Sequence, residues 1–240
     1  MEPYQDNLVH SCAPSETAFT PSACYEEAGD ELPSVKPGLF YRFVKRTFDI
    51  AASLFGLIIL SPLFLVVAIL IKAEDGGPVI HVRYCVGRNG KTYKMYKFRS
   101  MVVNADQIES FFSTELLNRY LSGEKLAYDP RITKIGALLR KTSIDELPQL
   151  MSVLKSDMSI IGPRPVIERE AQAYGEQREL LLSVKPGITG YWQVNGRGTP
   201  YLSNEAKNMQ LYYARNAGFL LDLSIIKKTI SVVLSRAGAR

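Results

Sequence analysis

The 240 residues of this chain are enough for one globular domain together with a membrane anchor. Its cysteines (Cys12, Cys24 and Cys85) lack metal-ligand spacing, and their odd count argues against a disulfide framework and fits a reducing cytoplasm. The formal net charge is +5, but it is unevenly distributed along the chain.

The first 36 residues contain seven acidic residues and a single base, Lys36, and they show no apolar periodicity. We therefore predict that residues 1–38 form a disordered acidic tail. The remaining residues, 37–240, contain 28 basic and 17 acidic residues, a net charge of +11. Such a basic body suits contact with anionic lipid headgroups or phosphate-bearing substrates, although a merely solvated basic face has the same composition.

Residues 50–71 form an uncharged run of 22 residues that is interrupted by Ser61-Pro62. A straight helix of this length reaches about 33 Å and would cross a bilayer core. Proline breaks or kinks a helix, and each half, 11 and 10 residues long, reaches about the depth of one leaflet. A re-entrant helix-break-helix over residues 39–74 and a kinked spanning helix both remain open. Basic residues on both flanks favour the first, and the position and length of the run argue against a secretory signal.

The rest of the chain, residues 75–240, is predicted to be α+β and mostly helical. The sequence Asn89-Gly90 separates two short strand-like runs, at 79–84 and 93–98, and predicts a β-hairpin. Apolar spacing predicts helices at 103–122, within 132–142, and at 143–155, 166–182, 203–216 and 221–236, with loop and strand at 185–194. The last of these helices is apolar enough to lie in a membrane interface or to be buried in a core.

One acidic pair has the spacing of a helix start. Ser143 precedes Glu146 by three residues, which is the pattern of a capping box and predicts Asp145 and Glu146 in a first helical turn. The helix dipole there favours ionised carboxylates, so Asp145 is a candidate nucleophile toward phosphorus and Glu146 a candidate Mg²⁺ ligand. Arg140 lies one turn earlier and could neutralise a phosphate. Acids that merely stabilise a helix start would give the same local pattern.

Two further segments suit phosphate or nucleotide contact. Arg164 stands between Pro163 and Pro165, and this rigid backbone suits an arginine that meets a phosphate in fixed geometry, or else a tight connector with an exposed side chain. Residues 185–197 combine glycines with Trp192 and Arg197, the only Trp and a further candidate cation. This segment could face a base or a sugar, or form a turn with a half-buried aromatic ring.

Taken together, these motifs resemble the bacterial sugar transferase family, the monotopic polyprenyl-phosphate phosphoglycosyl transferases. The resemblance covers roughly residues 45–240, and the motifs stand in the family's order: KRTFD at 45–49, Ser61-Pro62, YKFRSM at 96–101, DPRIT at 129–133, DELPQ at 145–149, GPRP at 162–165 and PGITGYWQVNGR at 186–197. The stretch before residue 41 has no counterpart in the family core, nor is the four-helix domain of longer members present in this sequence.

The resemblance implies a function. The enzyme would transfer a sugar 1-phosphate from a UDP-sugar to undecaprenyl phosphate, through a phosphosugar-aspartate on Asp145, with release of UMP. Glu146 would bind the cofactor Mg²⁺, and the arginines at 140, 164 and 197 would contact substrate phosphates. The broken helix at Ser61-Pro62 would be re-entrant, so that the protein would be monotopic on the cytoplasmic face of the bacterial inner membrane.

The same resemblance places the reaction at the first membrane step of capsule, exopolysaccharide or O-antigen synthesis. Membrane lipids are expected partners, nucleic acid is not, and a homodimer is a further expectation. Two other functions fit part of the sequence. One is a Mg²⁺-dependent membrane transferase that forms no covalent intermediate, and the other is a membrane-anchored nucleic-acid-binding protein, which the basic body suggests.

Overall fold

The structure is a computed structural model that describes residues 38–121, 129–196 and 198–234. Nearly all of the predicted acidic tail, residues 1–37, therefore lies outside the described residues. The helices are α1 Leu39–Ile59, α2 Ser61–Asp75, α3 Thr114–Leu121, α4 Lys134–Thr142, α5 Leu150–Leu154, α6 Glu168–Gln172, α7 Arg178–Leu181, α8 Tyr191–Asn195, α9 Asn204–Asn216 and α10 Phe219–Leu234, and the strands are β1 Ile80–Val86, β2 Thr92–Phe98, β3 Ser159–Ile161 and β4 Gly187–Thr189. This mostly helical α+β content confirms the predicted fold class.

Helices α1 and α2 meet at a sharp bend of 60°. Pro62 has no N–H to donate to the carbonyl of Ile58, and the Ser61 hydroxyl donates to that oxygen instead, at 2.8 Å. The predicted break at Ser61-Pro62 is therefore confirmed as a bend. In the described part of the chain no single helix is long and apolar enough to cross a membrane, and only this bent pair reaches that length and composition when its two helices are taken together.

The bent pair is packed against the rest of the chain along one side only. Tyr41, Asp49, Ser53, Val67 and Ile71 are buried on that side. The opposite side leaves many large apolar side chains exposed, namely Leu39, Phe40, Phe43, Phe48, Ile50, Leu54, Phe55, Ile58, Ile59, Leu65, Val66, Ile69 and Leu70. Helix α10 is likewise divided, because Ile225 is fully buried whereas Leu220 is 85% exposed.

Strands β1 and β2 form the predicted antiparallel hairpin, with Ile80 opposite Phe98 and Val86 opposite Thr92. The turn between them uses Asn89 and Gly90 at φ values of 59° and 77°, a region that these two residue types tolerate well. Strands β3 and β4 pair in parallel, a pairing that the sequence pattern had not predicted. Their contact is so close that a Cβ atom on Gly162 would lie 2.3 Å from the carbonyl oxygen of Lys185.

Three predicted segments differ from the structure. Within 103–122 only Thr114–Leu121 is α-helical, after a 3₁₀ turn at Ile108–Ser110. The segment 166–182 divides into α6 and α7, because Gly175 between them takes a φ of 54° that no α-helix contains. The segment 185–194 was predicted as loop and strand, but its second half forms the short helix α8.

Candidate active site

The acidic pair lies in a 3₁₀ helix, Ile144–Gln149, between α4 and α5. The predicted capping box is wrong. Ser143 ends α4 in the left-handed region, at a φ of 57°, and its side chain makes no capping hydrogen bond. The Ser143 carbonyl instead accepts from the backbone N–H of Glu146, at 3.2 Å. Pro148 lies inside the segment and cannot donate an α-helical bond, so regular α-helix begins only at Leu150.

Asp145 is buried, with 8% of its surface exposed. This burial raises its pKa to about 6, while the positive charges of Lys97 and Arg140 oppose the shift and the charge of Glu146 adds to it. A carboxyl group with this pKa is about nine-tenths ionised at pH 7. Asp145 is thus largely an anion that is only partly hydrated, which is the state that a carboxylate nucleophile requires.

Two basic residues near Asp145, Lys97 and Arg140, make hydrogen bonds to other parts of the site. The Lys97 ammonium, at the end of β2, donates to Oε1 of Glu146 at 2.6 Å. The Arg140 Nε, in the last turn of α4, donates to the hydroxyl of buried Ser100 at 2.9 Å. The structure therefore brings Asp145, Glu146 and Arg140 together, and it adds Lys97 and Ser100, which the sequence analysis quoted within YKFRSM but assigned no role.

Two ion pairs, each made by a buried arginine, hold the segments on either side of this site. Arg99 forms a bidentate pair with Asp75 at the end of α2, and hydrogen bonding to Arg99 lowers the pKa of Asp75 to about 2. Arg131 pairs with Asp129 through Nε at 2.9 Å and Nη2 at 2.8 Å. The two arginines are 7% and 2% exposed, so their role is to fix the backbone rather than to meet substrate.

The start of α4 packs directly on the backbone of the site. The N–H of Thr133 donates to the carbonyl of Ser100 at 3.2 Å. A Cβ atom on Gly136 would lie only 2.0 Å from that same carbonyl oxygen. Glycine at this position therefore allows the approach that places Ser100 within reach of Arg140.

Arg164 lies in a neighbouring cluster and makes no hydrogen bond or ion pair with Asp145, Glu146 or Arg140 among the described residues. Its guanidinium stacks on the Tyr201 ring at 4.4 Å, and its Nη1 lies 3.7 Å from Oε2 of Glu170. This Nη1 is buried and makes no hydrogen bond within the part of the chain that the structure describes. The Arg164 side chain as a whole is 27% exposed, so a ligand can still reach it beside this pair.

The hairpin register connects the two clusters. Glu170 also pairs with Arg83 of β1, at 3.4 Å, and Arg83 stands opposite Met95. Residues 83, 95 and 97 therefore share one face of the hairpin, and Arg83 and Lys97 are diagonal neighbours, about 7–8 Å apart. One face of the hairpin consequently presents Lys97 toward the acidic pair and Arg83 toward the Arg164 cluster. Sequence reasoning missed Arg83, although strand alternation would have placed it on the face of Lys97.

The segment after β4 is only partly described, because Arg197 lies outside the described residues. Trp192 is half-buried in α8 and donates from its indole nitrogen to the Thr199 hydroxyl at 3.1 Å. The predicted role of Arg197 in phosphate binding stays a prediction.

The carboxylates of the site suit Mg²⁺ only if substrate supplies further ligands. Among the described residues no group of three or more His, Cys, Asp or Glu side chains gathers in one place. Mg²⁺ is commonly held by one or two carboxylates together with substrate phosphates, and the pair Asp145 and Glu146 fits that pattern. Glu146 is half-exposed and would exchange its contact with Lys97 for such a ligand role.

Comparisons with known proteins identify the family of this chain. The family model described as "Bacterial sugar transferase" matches residues 40–236. The exopolysaccharide production protein ExoY of Sinorhizobium fredii is 43% identical over 197 residues, which cover 80% of this chain and 86% of the relative. The undecaprenyl-phosphate galactose phosphotransferase of Salmonella typhimurium is 43% identical over 201 residues, 82% of this chain but 42% of the relative. An enzyme of Aeromonas hydrophila named UDP-N-acetylgalactosamine-undecaprenyl-phosphate N-acetylgalactosaminephosphotransferase is 36% identical over 216 residues, 88% of this chain and 48% of the relative.

Proposed function

Because this chain belongs to the bacterial sugar transferase family, we propose that it transfers a sugar 1-phosphate from a UDP-sugar to undecaprenyl phosphate. The names of two relatives support the acceptor and one of them supports the donor class. The name of one relative specifies galactose and that of another specifies N-acetylgalactosamine, so the sugar itself is left to experiment. The product would begin an exopolysaccharide, capsule or O-antigen repeat.

The observation that supports this function best is a buried, largely ionised Asp145 beside two cations. In the first step, a carboxylate oxygen of Asp145 forms a bond to the sugar-bearing phosphorus of the UDP-sugar. The bond from that phosphorus to the bridging oxygen breaks, and UMP leaves with the electron pair. In the second step, a phosphate oxygen of undecaprenyl phosphate attacks the same phosphorus and releases the Asp145 carboxylate.

The surrounding cations have separate roles in these steps. Arg140 and Lys97 flank the acidic pair and would neutralise the oxygens of the phosphorus under attack. Arg164 and Arg83, which both pair with Glu170 and stay partly exposed, lie on the same side of the hairpin and suit the second phosphate of the donor. A diphosphate could therefore extend across the hairpin face, with its sugar-side phosphorus near Asp145.

Glu146, with Asp145, would hold Mg²⁺ at the donor diphosphate. When bound, the ion neutralises diphosphate charge and stabilises the departing UMP. The exchange of Lys97 for this ion at Glu146 would free the ammonium to turn toward the substrate.

We further propose that the bent helix pair is the re-entrant membrane segment, with the site at the cytoplasmic headgroup level. Its support is the 60° bend, the many exposed apolar side chains on one side, and the burial of the other side against the chain. Such an anchor would hold Asp145 near the phosphate of a lipid acceptor without a full crossing. The apolar exposed side chains of α10 would lie in the same interface.

The test of this function is a lipid-product assay. The purified protein in nanodiscs is given Mg²⁺, undecaprenyl phosphate and each of several labelled UDP-sugars, and label in the organic phase is counted. We expect one donor to be transferred by wild type and by the exposed-site control Asp106→Asn, and not by Asp145→Asn. Transfer by Asp145→Asn at the wild-type rate would refute the nucleophile, whereas label that appears without undecaprenyl phosphate would refute the acceptor.

A further inference from the structure

A cavity lies away from the acidic pair, between the first half of α1 and the body of the chain. Its volume is about 850 Å³, and it is lined by Arg42, Lys45 and Arg46 of α1, by Arg88 and Asn89 of the hairpin turn, and by Lys185 before β4. A cavity of this size suits a small ligand or a lipid headgroup. None of Asp145, Glu146, Arg140, Lys97 and Ser100 is among its lining residues.

The hairpin separates this cavity from Asp145. The cavity meets the hairpin at Arg88, in the turn, whereas the acidic pair meets it at Lys97, near the far end of β2. A strand of seven residues spans about 23 Å at 3.3 Å per residue, so the two places lie roughly 20 Å apart along the strand. One phosphate group cannot occupy both.

The cavity is lined by more basic side chains than the acidic side chains near them can neutralise. Lys45 is paired with Asp222 at 2.6 Å, and the buried Asp49 accepts from Ser159 and from the backbone N–H of Ile160. Arg88 and Lys185 have no ion-pair partner among the described residues. Arg46 donates from Nη1 to the carbonyl of Val153 at 2.7 Å and from Nη2 to the carbonyl of Leu154 at 2.9 Å. Because both acceptors are neutral, these bonds do not neutralise its positive charge.

These cations are close enough to repel one another. Burial lowers the pKa of Lys185, and the charges of Arg46 and Arg88 lower it further, against the smaller opposing effects of Asp49 and Asp157. Such mutual repulsion is relieved when an anion binds between the groups. The hydroxyl of Ser156 lines the same cavity and is a donor of the kind that phosphate oxygens accept, whereas the hydroxyls of Ser159 and Ser183 already donate to Asp49 and to the carbonyl of Leu180.

The edge of the cavity is apolar. Leu39 and Phe43 line it and are 82% and 72% exposed, and neighbouring Phe40 stacks edge-on with Phe219 at 6.2 Å. Inorganic phosphate has no apolar part to place against such an edge, whereas the acyl chains of a lipid lie well against it. The combination of a basic interior and an apolar edge is the complement of an anionic phospholipid.

We propose that this cavity binds the phosphate headgroup of an anionic membrane phospholipid, at a site distinct from the one where sugar phosphate is transferred. The proposal rests on the membrane location in the proposed function, but not on the chemistry of Asp145. The bound headgroup would fix the depth and tilt of α1 at the membrane surface. Because α1 carries the contacts to α5, directly after the acidic pair, such a headgroup would also steady the catalytic segment.

The test is a calorimetric titration of the protein in neutral detergent with dihexanoyl phosphatidylglycerol, which measures the affinity for that lipid. Dihexanoyl phosphatidylcholine is the net-neutral comparison, and UMP and inorganic phosphate are the lipid-free sources of the same phosphate chemistry. The test variant is Arg88→Gln with Lys185→Gln. The matched control, Arg169→Gln with Lys94→Gln, removes two exposed positive charges elsewhere, and Lys185→Arg keeps the charge in the cavity.

We expect wild type to bind phosphatidylglycerol at least tenfold more tightly than the test variant, as loss of charge-assisted contacts implies (about tenfold for each 1.4 kcal/mol). The matched control should stay within about twofold of wild type, and Lys185→Arg should bind. Asp145→Asn should bind like wild type, so that a failed transfer mechanism does not alter this result. Equal binding by wild type and test variant, or equal binding of the two lipids, would overturn the proposal. If the test variant lost UMP or phosphate but kept the lipid, the assignment to a lipid would be wrong.

Discussion

Lys97 gives the sharpest test of the electrostatics of the site. Its ammonium donates to Glu146 at 2.6 Å, and its charge lowers the pKa of Asp145 against the larger effect of burial. The change Lys97→Met keeps most of the side-chain volume and removes the charge. It also leaves Glu146 without its partner, and the charge of Glu146 raises the pKa of Asp145. Both consequences have the same sign, so the pKa of Asp145 must rise above about 6.

The rate of UMP release should follow the ionised fraction of Asp145. In wild type this fraction is lost as pH falls through about 6, so the acid limb of the pH–rate profile lies there. In Lys97→Met the limb moves to higher pH. A rise of one unit would reduce the ionised fraction at pH 7 from about nine-tenths to about one-half. Well above the limb, any remaining loss measures the lost contact with substrate phosphate, about 10- to 100-fold for a charge-assisted bond.

The assay is single-turnover UMP release between pH 5 and 9, about the range in which such a group titrates. The control is Lys94→Met, which removes an exposed lysine from the same strand on its opposite face. Its profile should overlay that of wild type. An acid limb in Lys97→Met at the wild-type pH, or below it, would refute the assignment of that limb to Asp145.

Two further predictions concern the segments that hold the site. Gly136→Ala would place a Cβ atom 2.0 Å from the Ser100 carbonyl oxygen, and a displacement of about 1 Å at the site costs roughly 100-fold in rate. Turnover at the wild-type rate would contradict this prediction. The control is Gly38→Ala, where an added Cβ atom meets nothing within 4 Å. The pKa of Asp75, about 2, lies below its ordinary value, so the Arg99 pair stabilises the fold above about pH 4 and is lost as pH falls through 2. Asp75→Asn should therefore lower the Tm at pH 7 and leave it unchanged near pH 2, and an equal loss of Tm at both pH values would contradict the ion pair.

Local chemistry explains what the sequence predicted well. The break at Ser61-Pro62 follows from a missing backbone donor, which no later packing can restore. The hairpin follows from the φ values that Asn89 and Gly90 accept. These features depend on adjacent residues alone, so they could be read before any tertiary structure was known.

The errors have an equally physical origin. The spacing of Ser143 and Glu146 matches a capping box, but Ser143 is already used to end α4, and its left-handed backbone turns the side chain away. The four-residue pattern alone does not show whether Ser143, which lies between two helices, ends the first helix or caps the second. The split of 166–182 similarly depends on Gly175, whose positive φ ends one short helix before the next begins.

The composition of the site depended on contacts between distant segments. Asp145, Glu146 and Arg140 could be proposed because they are neighbours in sequence. Lys97 meets these residues only through the packing of β2 on the 3₁₀ helix. Arg83 lies on the same face of the hairpin as Lys97 only because of the register between the two strands.

The central claim is that the sugar phosphate passes through Asp145, and intact mass spectrometry tests it most directly. The protein is incubated with Mg²⁺ and the accepted UDP-sugar without undecaprenyl phosphate, then quenched in acid, and peptides are mapped. We predict that wild type gains the mass of one phosphosugar on the peptide that contains Asp145, that one equivalent of UMP is released, and that added undecaprenyl phosphate removes the adduct. Rapid transfer to lipid with no adduct at any quench time, or an adduct on another residue in Asp145→Asn, would contradict the account and favour direct Mg²⁺-dependent transfer.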